Sequence, residues 1–193
     1  MPLRLLAAAA LAACLALAAG CGPAGPAEEG GPRADPPALL RVLPVPPGLD
    51  AATDPIPLDE RGLLKATIGD ASPELAERLR EAGGMRTAAG RTFTARSGGR
   101  MTASVSVWPG RIVAGNMVVQ VAGRRLGEPG VRAWTPAGGP ASQGIREEGG
   151  DRERVLARSL GPNMFVVRAT GDVPDDAVAV TLRRLILVHD RGG

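Results

Sequence analysis

The spacing of apolar and polar side chains marks out most of the carboxyl-terminal two thirds of the chain. Between Ser72 and Gly84, Leu75, Leu79 and Ala82 recur at helical spacing. Glu74, Glu77, Arg78, Arg80 and Glu81 fill the other faces, so this stretch predicts an amphipathic helix. Ser72 suits its N-cap, Pro73 its first position and Gly83 or Gly84 its exit. Period-two alternation follows. Thr92–Ala95, a Ser97-Gly98-Gly99 turn and Met101–Trp108 predict a β-hairpin. Met101, Ala103, Val105 and Val107 face a core in that reading, and Thr102, Ser104, Ser106 and Trp108 face away. From Ile112 to Leu126 two periods compete: Val118-Val119-Gln120-Val121 is β-branched, but Val113, Met117 and Val121 are four apart, which favours a helix. Gly127 to Gly150 reads as loop with one short strand near Val131–Trp134. Arg154–Arg158 and Met164–Ala169 form a second predicted hairpin around Leu160-Gly161-Pro162-Asn163. The last helix follows Asp172, with Asp175 and Asp176 in its first turn, where the helix dipole favours negative charge. Val178, Leu182, Leu185 and Ile186 are its buried stripe.

The two hairpin units carry similar signals. Ala95-Arg96-Ser97 precedes the strand at Met101, and Ala157-Arg158-Ser159 precedes the strand at Met164. Arg124-Arg125-Leu126 and Arg183-Arg184-Leu185 close the segments that follow. Such matches fit a pseudo-twofold internal repeat, and they also fit chance in an Ala- and Arg-rich chain. With or without it, the expected fold is α+β: an antiparallel sheet of two hairpins packed by about three helices, covered on one face.

The amino-terminal part has no such pattern. Residues 21–60 hold ten of the 18 prolines and five glycines. Proline fixes φ and removes a donor, so an extended, semi-rigid tether is expected there. Leu39-Leu40-Arg41-Val42-Leu43 is the segment able to dock as an edge. The folded domain is placed at 61–193.

At the start, Arg4 precedes an apolar run from Leu5 to Ala19, then Gly20-Cys21-Gly22. One positive charge ahead of a short apolar core is the pattern of a secretory signal over residues 1–20. The run is too short for a permanent membrane span, which needs about 20 apolar residues. Leu17-Ala18-Ala19-Gly20-Cys21 resembles the lipobox of bacterial lipoproteins. The usual Leu three residues before the cysteine is replaced by Ala18, with Leu17 one place further back. The resemblance implies cleavage between Gly20 and Cys21 and a diacylglyceryl group on the Cys21 thiol. Two acyl chains would then hold the protein on the extracytoplasmic face of the cell membrane. The alternative is a plain secretory signal cut after Ala19 or Gly20, which leaves a free thiol.

Composition adds constraints. The formal charge of +3 is small despite a pI near 9.6, so nucleic acid is not an expected partner. Lys65 is the single lysine and every other cation is arginine; with the abundance of Ala, Gly and Pro this reads as coding bias and resembles actinobacterial lipoproteins. It does not suggest a phosphate-binding design. Only Cys14 and Cys21 are present, so a processed chain cannot form an internal disulfide. Phe93, Trp108, Trp134 and Phe165 are the only aromatic residues, too few for a sugar-stacking or base-stacking surface.

No catalytic set emerges. His189 is the only histidine and lies near the end, where a solvated side chain is expected. With it and no free cysteine beyond the anchor, the usual zinc ligands cannot be assembled, and no metal or cofactor is expected. A Ser-His-Asp triad lacks a Gly-x-Ser-x-Gly elbow, and a Ser-Lys dyad at Lys65 lacks a serine three residues before it. Ser97, Ser104, Ser106, Ser142 and Ser159 read as turn or strand residues. Glu147-Glu148, with Asp151 and Glu153 nearby, form the best carboxylate group, suited to weak Ca²⁺ binding or two-acid hydrolysis.

Three functional readings remain. The first is a lipid-anchored, non-catalytic binding or scaffold module; in outline a small helix-backed sheet resembles the extracellular sensor-like domains of some actinobacterial lipoproteins and receptor kinases, although those often carry disulfides. Its ligand would sit between the sheet and a helix, or in the loop from Gly127 to Gly150. The second is a cell-envelope hydrolase using acidic residues. The third is a subunit of a membrane transport or secretion complex, with a protein partner at the envelope.

Overall fold

The period-two stretches pair into one antiparallel sheet. The computed structural model describes residues 33–69, 72–81, 83–136, 142–149 and 152–191. The signal segment, Gly20 and Cys21 lie outside them. In chain order the elements are α1 (Pro36–Arg41), β1 (Ala51–Ala52), β2 (Ile56–Pro57), α2 (Glu60–Ile68), α3 (Pro73–Glu81), β3 (Thr87–Thr94), β4 (Arg100–Val107), α4 (Arg111–Gly123), β5 (Val131–Ala133), β6 (Gln143–Glu147), β7 (Arg154–Leu160), β8 (Asn163–Thr170) and α5 (Asp175–Arg191). The strand order is β1-β3-β4-β8-β7-β6-β5, with β2 also on β3. Both predicted hairpins are present, β3–β4 and β7–β8, and they meet at the centre through β4 and β8. Gly161, at φ +55, opens the two-residue turn between β7 and β8 and Pro162 completes it, the order that a type II′ turn requires. The ambiguous segment is helical, as α4.

The sheet is covered on both faces, not one. On the first face Phe93, Met101, Ala103, Val105, Leu156, Phe165 and Val167 pack against α1 and α5, with Val178, Leu182, Leu185 and Ile186 of α5 buried as the spacing predicts. On the second, Trp108, Val155, Ala157, Met164 and Val166 pack against Leu63 and Leu64 of α2, Leu79 of α3, and Met117, Val118 and Val121 of α4. The second face was misread as solvent-facing because Thr102, Ser104 and Ser106 interrupt it. The two serine hydroxyls are satisfied locally instead: Ser104 donates to the Val166 carbonyl at 3.5 Å, and the Trp108 indole donates to Ser106 at 2.9 Å. Burial then costs little. The pseudo-twofold relation holds for the two hairpins only. A twofold relating antiparallel β4 and β8 leaves each face where it is, whereas α4 and α5 lie on opposite faces.

The domain also begins before residue 61. Leu40, Leu43 and Leu49 are core residues, and β1 and β2 extend the sheet beside β3. Leu39–Leu43 therefore docks, as a helix end and not as an edge strand. Proline removes donors from this segment and leaves carbonyls over. Arg91 takes them up: its guanidinium donates to the carbonyls of Leu40 (2.9 Å), Leu43 (2.6 Å) and Thr53 (2.9 Å) while lying 5.3 Å over the Phe93 ring. Residues 33–60 are thus part of the folded unit.

Candidate functional site

The second face of the sheet is filled at one end and hollow at the other. Toward the Trp108 end, Met164, Val166 and Ala88 meet the helices. Toward the other end the same alternation places Gly90 and Thr92 on β3, Arg100 and Thr102 on β4, and Arg168 and Thr170 on β8. Hydroxyls and cationic stems do not close against a helix as Val or Met would. A groove of ≈ 680 Å³ is left between this patch and α2, walled by Leu58, Gly62, Lys65 and Ala66. Thr92, Thr102 and Arg168 form one cross-strand row, and Arg100 and Thr170 the next. Cross-strand neighbours sit with Cβ atoms about 5 Å apart and diagonal ones at roughly 7–8 Å, so Arg100 and Arg168 lie within one ligand's reach.

α2 was not foreseen, and it is the wall of the groove. Its signals are short: Asp59 accepts from the Gly62 amide at 2.7 Å as N-cap, and Gly69, at φ +73, ends the helix. Leu63, Leu64 and Thr67 turn inward, which leaves Lys65 exposed over the groove. Gly69 also makes room for Arg168, since a Cβ there would come 2.5 Å from its guanidinium.

Arg168 is tied from behind. Its Nε donates to Glu153, whose other carboxylate oxygen accepts from Arg125. Arg125 also donates to Glu128 at 2.7 Å and Glu147 at 3.0 Å. The Glu147 carboxyl is held below the usual carboxylate range, first by the hydrogen bond from Arg125 and then by the Glu153 amide. Glu148 pairs with Arg132 at 3.3 Å. The acidic group singled out from sequence is therefore an ion-pair network joining α4 to β6, β7 and β8. A lowered pKa is the opposite of what a general acid needs. Asp151 lies outside the described residues. By contrast, Lys65 and Arg100 have no acidic partner among the described residues.

His189 is not solvated. Its side chain is 10% exposed, its ring meets Phe165 edge-on at 5.3 Å, and its Nε2 lies 3.0 Å from the Asn163 amide nitrogen. Asn163 in turn accepts from the Ala34 amide at 2.9 Å and donates to the Leu160 carbonyl at 3.2 Å. The histidine closes the first face over the amino-terminal segment. Ser97 donates to the Asp172 carbonyl at 3.3 Å, and Ser142 and Ser159 line a shallower hollow of ≈ 540 Å³ beside α4 with Thr135 and Arg158. No histidine or carboxylate joins the serines there among the described residues.

These features define an α+β domain: an antiparallel sheet between two helical layers, with a polar groove on one face. No protein-family model and no curated protein matches the chain. Among solved structures it is similar to the extracellular domain of PknH from Mycobacterium tuberculosis, with a TM-score of 0.51 and 11% identity over 73% of this chain and 84% of that one. The likeness is one of fold.

Proposed function

We propose that the chain is a lipid-anchored, extracytoplasmic binding module of the sensor-like kind, non-catalytic, which takes its ligand in the groove between α2 and the sheet. The groove carries this reading. There a well-packed domain leaves polar and cationic side chains of the sheet and of α2 around its larger described hollow, and such a hollow with convergent polar groups is the default ligand site. Three further observations support the address. Leu17–Cys21 carries the lipobox pattern. No helix among the described residues is long and apolar enough to cross a membrane. The fold is like that of an extracellular domain.

Hydrolysis by paired acids loses its best candidates, because Glu147 and Glu153 are clamped by Arg125. A role as a subunit of an envelope complex would be compatible with the same anchor and would place the groove at a partner surface.

The address is tested by growing cells with labelled palmitate and fractionating them. The protein should carry label and stay with membranes after alkaline wash, and Cys21→Ser should abolish both. Unlabelled wild-type protein, or a serine variant that remains membrane-bound, overturns the anchor.

A further inference from the structure

We infer that the groove binds a phosphoryl group, presented by a soluble phosphate ester or by a lipid headgroup, with Lys65 and Arg100 as the charge-bearing ligands and Thr102 and Thr170 as hydroxyl donors. The inference rests on the binding-module reading and names what the site takes. Four observations carry it.

The first is uncompensated charge. Most arginines of this face are neutralised: Arg125 by three glutamates, Arg168 by Glu153, Arg132 by Glu148. Lys65 and Arg100 are not, and no carboxylate lines the groove among the described residues. Two cations without an acidic partner among the described residues, one on each wall of the groove, raise the local potential and concentrate anions there. The second is geometry. Arg100 and Thr170 are direct cross-strand partners, and Thr102 pairs with Arg168 in the adjacent row. A guanidinium fork, a point-charge ammonium from the opposite wall and two hydroxyls converge on one volume, which is the donor set that tetrahedral oxyanions accept.

The third is the state of Arg168. Glu153 holds its Nε, and Gly69 passes close to its outer nitrogens. Its position is therefore fixed while its charge is largely spent, so it supplies shape and a directed N–H more than net attraction. The net available charge is that of Lys65 and Arg100, which matches a phosphate monoester dianion better than a carboxylate. The fourth is the absence of ring faces. Phe93, Trp134 and Phe165 belong to the first face and Trp108 to the packed end of the second. Nothing in the groove stacks on a sugar or a base, so recognition falls on the charged group.

The test uses full-length protein in uncharged detergent at fixed ionic strength. Amide NMR shifts are followed on adding inorganic phosphate, glycerol 3-phosphate, or dihexanoyl phosphatidic acid below its micelle concentration, with chloride and acetate as controls. Saturable shifts confined to α2, β4 and β8 are expected with phosphate or its esters. Lys65→Gln and Arg100→Gln should each weaken binding by about five- to tenfold, the scale of one solvent-exposed hydrogen bond, and the double variant should weaken it further. Arg183→Gln removes an exposed charge from α5 on the far face and should bind like wild type. Because Lys65 and Arg100 are exposed and have no acidic partner among the described residues, these variants should fold, and their thermal midpoints check it. Tighter binding of the short-chain lipid than of glycerol 3-phosphate assigns the source to a headgroup, and the reverse assigns it to a soluble ester. Failure of phosphate and both esters to shift the groove, or equal weakening by Arg183→Gln, overturns the inference. That result leaves palmitate labelling, and hence the anchored module, untouched; loss of labelling with phosphate binding retained does the converse.

Discussion

At the level of single residues the molecule depends on a few side chains whose roles are invisible in their sequence neighbourhood. Arg125 is the clearest. It sits just past α4 and joins three glutamates, of which Glu153 has a side chain only 5% exposed. Removing a cation from such a carboxylate leaves charge without its partner, so Arg125→Ala should destabilise the domain by about 2–4 kcal/mol, read as a shift of the urea midpoint. The pH dependence follows in sign. The folded pKa of Glu147 lies below its ordinary 4.5, so its contribution is present in full above about that pH and fades as pH falls through the folded value. Wild-type stability should therefore drop below pH 4.5, and Glu147→Gln should flatten that drop while lowering stability at neutrality. A variant with an unchanged acid slope would show that the pair is not formed in solution. Asn163 is a second such residue, buried and bonded to Ala34, Leu160 and His189. Asn163→Ala should cost about 2–3 kcal/mol because buried partners lose their bonds. His189 could not be read correctly from position alone. Nearness to the chain end suggested solvent, but the α5 helix carries it back over Phe165.

Among the elements, legibility tracked the strength of the periodic signal. α3, α5 and the two central hairpins carry regular periods and stand close to where the spacing put them, although β3 begins at Thr87 and its first five residues were not foreseen. α4 is apolar on nearly every face, and a four-residue spacing identified it against a β-branched run. β6 escaped notice because only Ile145 in it is a large buried residue. Its real signal is Gly144, which lets the strand lie against β7. A Cβ there would approach Leu156 Cδ2 to 2.5 Å and the Val155 carbonyl to 2.6 Å. Gly144→Ala should thus destabilise by roughly 1–3 kcal/mol through forced displacement, with hydrogen exchange rising first in β5 and β6. α2 was missed for a different reason: it follows directly on the proline-rich stretch, and its inward residues Leu63, Leu64 and Thr67 include a polar one, so no apolar stripe stands out. Its caps carry the information. Asp59→Ala should cost about 1 kcal/mol, the usual worth of a lost N-cap. The candidate site was thus half readable: the space between sheet and helix was the expected place for a ligand and a groove lies there, but the helix was not foreseen, and the polar strand positions that hollow the groove looked like an ordinary solvent face.

For the molecule as a whole the decisive fact is that two cores share one sheet. Each central strand sends alternate residues into both layers, so neither layer can lose its packing without removing support from the other. The amino-terminal segment belongs to this unit through Leu40, Leu43 and Leu49, although its ten prolines with the preceding stretch made it look like a spacer. Composition misled because proline excludes regular hydrogen bonding without excluding burial, and Arg91, far along the chain, supplies the donors. The two readings separate in one measurement. Leu40→Ala opens a cavity under α1 and should cost about 2–5 kcal/mol. In a Trp134→Phe background, fluorescence reports on Trp108, which lies on the opposite face of the sheet. If residues 33–60 are part of one cooperative domain, Leu40→Ala should lower the midpoint seen by Trp108 and the midpoint seen by far-ultraviolet circular dichroism by the same amount. A segment that merely leaned on the surface would melt early by dichroism and leave the Trp108 transition where it was. Coincident transitions would place the start of the functional unit close to the proposed anchor, with few residues between membrane and fold.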